Sequence, residues 1–267
     1  MVQDSSVPIA SLRGPLLVLG AGGFVGANLF HRLQKVRSDV YGVVRQTPAW
    51  RLSDVVADRV LEVDLTDAAA ARNLVDAIGP QTVFDCVSYG GYSFEDREAL
   101  IYQTNFTALV ALVEQLARKS FAAFVHAGSS SEYGLNCRAP REGAPLKPNS
   151  HYAVSKAAMA QYLQYLGSLR NLPCVNLRLY AAYGPLEDTS RLMPALVRAA
   201  LAGGYPPFVN PDITRDFVYI DDVCDAFILA ASRMNPTLYG RSFNIATGTR
   251  TSIRALAQLS KMLFGLK

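Results

Sequence analysis

Three glycines constrain this chain more than any other feature. The stretch LLVLGAGGFVGANL puts Gly20, Gly23 and Gly26 in GxxGxxG spacing, directly after the apolar run Leu16–Leu19 and at the opening of an amphipathic segment. Glycine at these points permits a tight turn, lets the backbone approach an anion, and allows a helix to pack closely on a strand. The unpaired N–H groups of that helix start, including those of Phe24 and Val25, then face the anion. Such a triplet can be a packing turn alone. Its place after a buried-type strand favours a cradle for a dinucleotide pyrophosphate.

Further continuous apolar runs follow at Val40–Val44, Val60–Val63, Thr82–Val87, Ala122–His126 and Cys174–Leu179. Strands buried on both faces read this way. Helix-length amphipathic segments separate them: Val25–Lys35, Ala68–Ile78, Ala99–Lys119 and Tyr152–Leu169. The alternation implies an α/β fold, a Rossmann-type doubly wound parallel sheet, over residues 15–180. From Leu179 the chain is broken by Tyr183-Gly184-Pro185, Gly203-Gly204, Pro206-Pro207 and Asn210-Pro211, as expected of a small C-terminal substrate-binding lobe. Residues 181–214 and 236–267 are assigned to that lobe, with a strand at Asp216–Ile220 and a helix at Asp222–Ser232 returning to the main body within 215–235. Residues 1–14 read as a loose leader, without the basic start and long apolar stretch of a signal peptide.

The 267 residues, half of them apolar, are ample for a large core. A net charge of +4, from 26 basic and 22 acidic residues without a Lys/Arg block, suits small anionic ligands better than nucleic acid. Cys86, Cys137, Cys174 and Cys224 make no CxxC, and His31, His126 and His151 share no ligand spacing, so no metal is expected. Reduced thiols and the lack of a membrane-length apolar run imply a cytoplasmic protein.

Arg45 ends the second apolar run, where an acidic residue would bind the ribose hydroxyls of NAD. Arginine there can instead pair with the 2′-phosphate of NADP; a solvated surface arginine is the alternative. Asp64 and Leu65, after the third run, are placed to meet the adenine, although Asp64 opening Asp64-Leu65-Thr66-Asp67 also reads as a helix cap. Tyr152 and Lys156, in YAVSK, share one helix face at i, i+4. An ammonium beside a phenol favours the phenolate and so suits the phenol to proton exchange. Upstream, FVHAGSSSEYG ends a strand with Ser129, Ser130 and Ser131, on the side of the sheet where ligands bind.

With glycine loop, serine-bearing strand end and YxxxK in hand, the chain resembles the extended short-chain dehydrogenase/reductases, which include NAD(P)-dependent sugar-nucleotide epimerases, dehydratases and reductases. The resemblance spans Leu16 to about Leu263. It implies Ser129 as catalytic hydroxyl, Tyr152 as acid/base, and Lys156 as ribose ligand and modulator of the tyrosine. Asn105, in QTNFTAL, matches the asparagine that supports the lysine. LRLYAAYGP is similar to LRxxNxYGP, and TRDFVYIDDV to RDFxxxxD, whose arginine, here Arg215, meets the nucleotide diphosphate. Ser130 and Ser131 join Arg215 as expected substrate contacts. Two departures bear on the chemistry: Ala181 replaces the asparagine of LRxxNxYGP, and Ser130 and Ser131 replace the acid pair of the dehydratases, leaving Glu132 one step away. Members commonly continue beyond the segment at which this chain stops, which leads us to expect an incomplete sugar-nucleotide pocket.

The expected function is therefore hydride transfer with NADP, preferred, or NAD on a nucleotide-linked sugar, as a 4-epimerase or a 4-ketoreductase. An NADP-dependent carbonyl reductase acting on a non-nucleotide substrate, and a dinucleotide-binding module without turnover, remain as alternatives. A homodimer through Ala99–Lys119 and Tyr152–Leu169 is implied by the resemblance. Neither a nucleic-acid nor a membrane partner is expected.

Overall fold

Leu16–Leu19 has no exposed member, and a strand so enclosed needs helices on both sides. The computed structural model, which describes residues 8–92, 94–204 and 210–265, supplies them. Among these residues β1 (Leu16–Leu19) lies in the interior of a seven-stranded parallel sheet. On one side follow β2 (Val40–Val44) and β3 (Val60–Glu62); on the other stand β4 (Thr82–Asp85), β5 (Ala123–Ser129), β6 (Cys174–Leu179) and, at the edge, Ser242–Ile245. The strand order reverses between β1 and β4, the switch point at which a doubly wound sheet opens a ligand crevice.

One face of the sheet is covered by α1 (Phe24–Gln34) and, later in the chain, by Ile220–Ser232, whose Phe227 and Ile228 are fully buried. The opposite face carries α2 (Ala68–Ile78), α3 (Glu98–Tyr102), α4 (Ala108–Lys119) and α5 (His151–Arg170). The single helix expected over Ala99–Lys119 is interrupted: residues 103–107 form a wide π-type turn between α3 and α4. That turn aims Asn105 into the interior, where it is fully buried.

Past β6 the chain makes β7 (Ala181–Tyr183), α6 (Leu192–Leu201), β8 (Thr214–Arg215), β9 (Phe217–Tyr219), α7 (Ile220–Ser232), β10 (Ser242–Ile245), β11 (Thr251–Ser252) and α8 (Ile253–Phe264). Here the sequence reading needs correction. β9, expected to return to the main body, joins not the main sheet but β7 in a small separate sheet, although its Val218 packs with α7 in the core of that face. β10, assigned to the lobe, pairs in parallel with β6 and extends the main sheet. Its four half-buried residues lack the continuous apolar run that marks an interior strand. The leader is corrected as well. From Pro8 onward it is packed: Ile9 and Leu12 are buried, Arg37 hydrogen-bonds the Leu12 carbonyl, and the Arg13 carbonyl accepts from Thr82 Oγ1 at 2.7 Å.

On α8, Ile253 and Leu256 are half-buried, Leu259 and Leu263 are exposed, and Ala257 is the buried residue. Leu266, Pro206-Pro207 and residues 1–7 of the leader lie outside the described residues. Among the described residues no helix is long and apolar enough to cross a membrane.

Candidate active site

A cleft of about 1300 Å³ runs along the C-terminal ends of the strands, from the glycine loop to the lobe. Its cofactor end is built by steric necessity. Gly20 adopts φ +72°, and a Cβ there would lie 2.8 Å from the Cys86 carbonyl oxygen; a Cβ on Gly26 would lie 2.3 Å from the Gly20 oxygen. Only glycine lets α1 start this close to β1 and β4. Gly23 is the N-cap and gives α1 no side-chain cap, so the amides of its first turn stay open to an anion. These features fit the phosphates of a dinucleotide, with Gly20, Gly23, Phe24 and Val25 lining the cleft and Gly26 setting the helix approach.

Arg45, Asp64 and Leu65 line the same end. Asp64 lines the cleft and closes a turn ahead of α2 without capping that helix. Its Oδ1 accepts from the Thr66 amide at 2.9 Å and hydroxyl at 2.7 Å; the Thr66 hydroxyl, with Arg45 adding a smaller charge effect, holds its carboxyl below the usual range. The α2 N-cap itself is Asp67.

At the centre stand Ser129, Tyr152 and Lys156. Ser150 caps α5 by accepting from the Ala153 amide, which puts Tyr152 in the first turn and Lys156 one turn deeper, almost wholly buried. Lys156 Nζ donates to the Val87 carbonyl at 3.1 Å and the Ala127 carbonyl at 2.9 Å. An ammonium has three donors, so one remains for the cleft. Asn105, expected to support this lysine, is hydrogen-bonded elsewhere: it accepts from the Tyr89 amide and donates to the Tyr89 carbonyl and Ser155 Oγ. It thereby pins the segment that presents the Val87 carbonyl.

Ser129 Oγ accepts from the Ser131 amide at 3.1 Å, while the Ser129 amide donates to Glu132 Oε1 at 2.9 Å. This reciprocal capping box fixes the hydroxyl and leaves its proton free to point at a ligand. Glu132, fully buried, is no loose acid. Arg178 Nε donates to its Oε2 at 2.6 Å, Asn176 Nδ2 lies at 3.2 and 3.3 Å, and Arg178 continues to the Tyr133 hydroxyl and the Glu142 carbonyl. Burial alone would lower the Arg178 pKa, but Glu132 beside it raises it on balance.

Ser130, Ser131 and Arg215 line the far end, with Arg215 exposed on β8. Ala181 lines it too, offering no side-chain hydrogen bond. The sequence reading missed Arg51, Tyr92, Glu187 and Arg191, all in the cleft wall. Arg51 donates to Leu186 and Gly22 carbonyls at 2.8 and 3.1 Å and lies 4.2 Å from the Trp50 ring centroid. Burial lowers its pKa, outweighing the opposing charge effects of Tyr92 and Asp188. The Arg191 guanidinium stacks 4.7 Å from the Tyr92 ring centroid, and burial raises both Tyr92 and Glu187. Each is a single side chain in a loop, carrying no motif.

Comparison with known proteins agrees with this geometry. Residues 16–246 match the model of the NAD dependent epimerase/dehydratase family. A UDP-glucose 4-epimerase of Mycolicibacterium smegmatis is 30% identical over 261 residues, 90% of this chain and 79% of the relative. A dTDP-glucose 4,6-dehydratase of Xanthomonas campestris is 28% identical over 243 residues, 83% of this chain and 69% of the relative. The crystal structure of UDP-glucose 4-epimerase from Thermotoga maritima with UDP-glucose superposes with TM-score 0.82 at 23% identity, covering 94% of this chain and 83% of that one.

Proposed function

We infer the function from one premise: the chain belongs to the NAD dependent epimerase/dehydratase family. It is an NAD-dependent enzyme of nucleotide sugars. Within that activity we assign it hydride transfer at a ring carbinol or ketone, as a 4-epimerase or 4-ketoreductase. The carrying observation is the single cleft of about 1300 Å³ that joins glycine loop, Ser129, Tyr152, Lys156 and Arg215. Pockets for one small ligand hold roughly 300–1,000 Å³, so this cleft has room for a dinucleotide and a second ligand end to end.

The nicotinamide, when bound, exchanges hydride with the sugar carbon. Tyr152 takes or returns the proton of the hydroxyl on that carbon. Ser129, its oxygen already accepting from the Ser131 amide, donates to the same oxygen as charge develops. Lys156 supplies its remaining N–H to the cofactor ribose and its positive charge to the part of the cleft where Tyr152 exchanges its proton. Arg215 meets the diphosphate of the substrate. Elimination of water would need a free acid beside Ser129. Ser130 and Ser131 carry none, and Glu132 is committed to Arg178, so dehydration is disfavoured.

Arg45 favours NADP over NAD, because a guanidinium pairs with a 2′-phosphate and cannot accept from ribose hydroxyls. The exposed Val154, Tyr165 and Leu169 of α5 support a homodimer through α4 and α5. Ala181 supports a second reading, reduction of a carbonyl compound that is not a nucleotide sugar. The test is a thermal-shift panel of UDP-, GDP-, CDP- and dTDP-sugars with NADH or NADPH, since a tight ligand raises the melting point by mass action, followed by turnover of the ligands found. A shift with nucleotide sugars and exchange of the sugar C4 hydrogen support the assignment. Cofactor binding without either overturns it.

A further inference from the structure

Below the cleft, Asp85 and His126 are both fully buried, on adjacent strands and directly opposite each other in register. His126 Nδ1 lies 2.6 Å from Asp85 Oδ2. Side chains alternate across a strand, so the two share the sheet face of Val83 and Phe124, which packs against Met159 and Leu163 of α5. A polar pair in this apolar layer opposes stability. Its cost is compounded by His126 Nε2, which has no hydrogen-bond partner among the described residues.

The backbone next to the pair shows what it holds. Asp85 Oδ1 accepts from the Val87 amide at 3.0 Å, and the carbonyl of Val87 is one acceptor of Lys156 Nζ. The other acceptor is the carbonyl of Ala127, the residue after His126. One carboxylate thus ties the end of β4 to β5 and sets both carbonyls on which the ammonium rests.

We propose that Asp85 and His126 are positioning residues for Lys156: their buried hydrogen bond clamps the ends of β4 and β5 so that the Val87 and Ala127 carbonyls hold the ammonium with its third N–H in the cleft. This inference rests on the assignment of Lys156 as a cofactor ligand. The charged groups facing His126 are Asp85 from β4, Lys156 from α5 and Glu132 from the turn after β5. Burial first, and Lys156 second, hold the imidazole below its usual pKa, consistent with a neutral ring donating from Nδ1.

The test uses NADH and NADPH titrations, which need no knowledge of the sugar. Replacing the pair by apolar residues, Asp85→Leu with His126→Phe, should leave melting within a few degrees of wild type, since apolar replacement of a buried pair is often neutral or better. It should weaken cofactor binding about tenfold, within the range of couplings between residues of one network. His126→Asn, whose amide keeps a donor for Asp85, should restore near-normal affinity. In a Lys156→Ala background the apolar pair should cause no further loss. Normal affinity in the apolar pair, or an undiminished loss without Lys156, overturns the proposal. If the apolar pair does not fold, Asp85→Asn in the two backgrounds carries the same cycle. Wild-type protein that binds neither cofactor, or a Lys156→Ala change without effect, overturns the functional reading along with it.

Discussion

Replacing Arg178 by methionine probes the ion pair behind Ser129. The guanidinium and Glu132 have 5% and 0% side-chain exposure, so removing the cation leaves a carboxylate away from water. Its remaining donors are the Ser129 amide at 2.9 Å and Asn176 Nδ2 beyond 3.1 Å, too few to replace hydration. Breaking a buried pair from one side costs about 3–5 kcal/mol. At about 2–4 °C per kcal/mol for a chain of this size, the melting temperature should fall by roughly 6–20 °C. Adding Glu132→Leu should recover most of that loss, because no buried charge remains. Turnover should not recover, since the Ser129 amide has lost its acceptor and the hydroxyl its fixed orientation. Calorimetric melting of the single and double variants, paired with hydride-transfer rates, measures both effects. An Arg178→Met protein within about 1 kcal/mol of wild type, the size of an ordinary substitution, would refute the reasoning, as would full activity in the double variant.

Tyr152→Phe should lower turnover by about 100-fold or more, the usual worth of a general acid/base, with cofactor affinity unchanged in a fluorescence titration. Arg45→Ala should reduce NADPH affinity by about ten- to a hundredfold and leave NADH affinity alone, which is the value of a charge-assisted hydrogen bond; equal losses would point to stacking on adenine. Gly26→Ala must move a Cβ away from the Gly20 oxygen, 2.3 Å distant. We expect a cost of about 1–3 kcal/mol and loss of cofactor binding, read by melting with and without NADH. Because burial holds His126 below its ordinary 6.5, the unfolded chain takes up that proton first on acidification. Stability contributed by the neutral ring is present above that value and is lost as pH falls through it. Urea unfolding of wild type and His126→Asn, at about pH 7 and about pH 5, should show the smaller pH dependence in the variant.

The parts of the site legible in the sequence are those fixed by local spacing. Gly20, Gly23 and Gly26 act within one turn, Tyr152 and Lys156 within one helix face, and Ser129 at the end of its own strand, so neighbours in sequence are neighbours in space. Arg51, Tyr92, and the pair Glu187 and Arg191 reach the cleft from three separate connections, and no periodicity records where such a side chain ends. Glu132, in the turn after β5, meets Arg178 on the neighbouring strand β6, a pairing that depends on how those two strands align. The main sheet followed from enclosed apolar runs. β10 did not, because its half-buried edge position carries a weaker pattern, and β9 followed an unanticipated partner, β7. Asn105 was placed on a continuous helix, whereas its actual partners, Tyr89 and Ser155, depend on a wider turn there.

That wide turn has a consequence for the helix phase. Residues 103–107 accommodate more chain per turn than a regular helix, so α3 is offset in rotation from α4. Winding the same residues as a regular helix would shift the phase of α3 by about one residue, or about 100°, relative to α4. Glu98 and Tyr102, which flank His151 at 3.1 and 3.0 Å, would turn away from the start of α5, one residue before Tyr152. Loss of the wide turn, far from the nucleotide loop, would therefore reach the neighbourhood of Tyr152 through helical rotation.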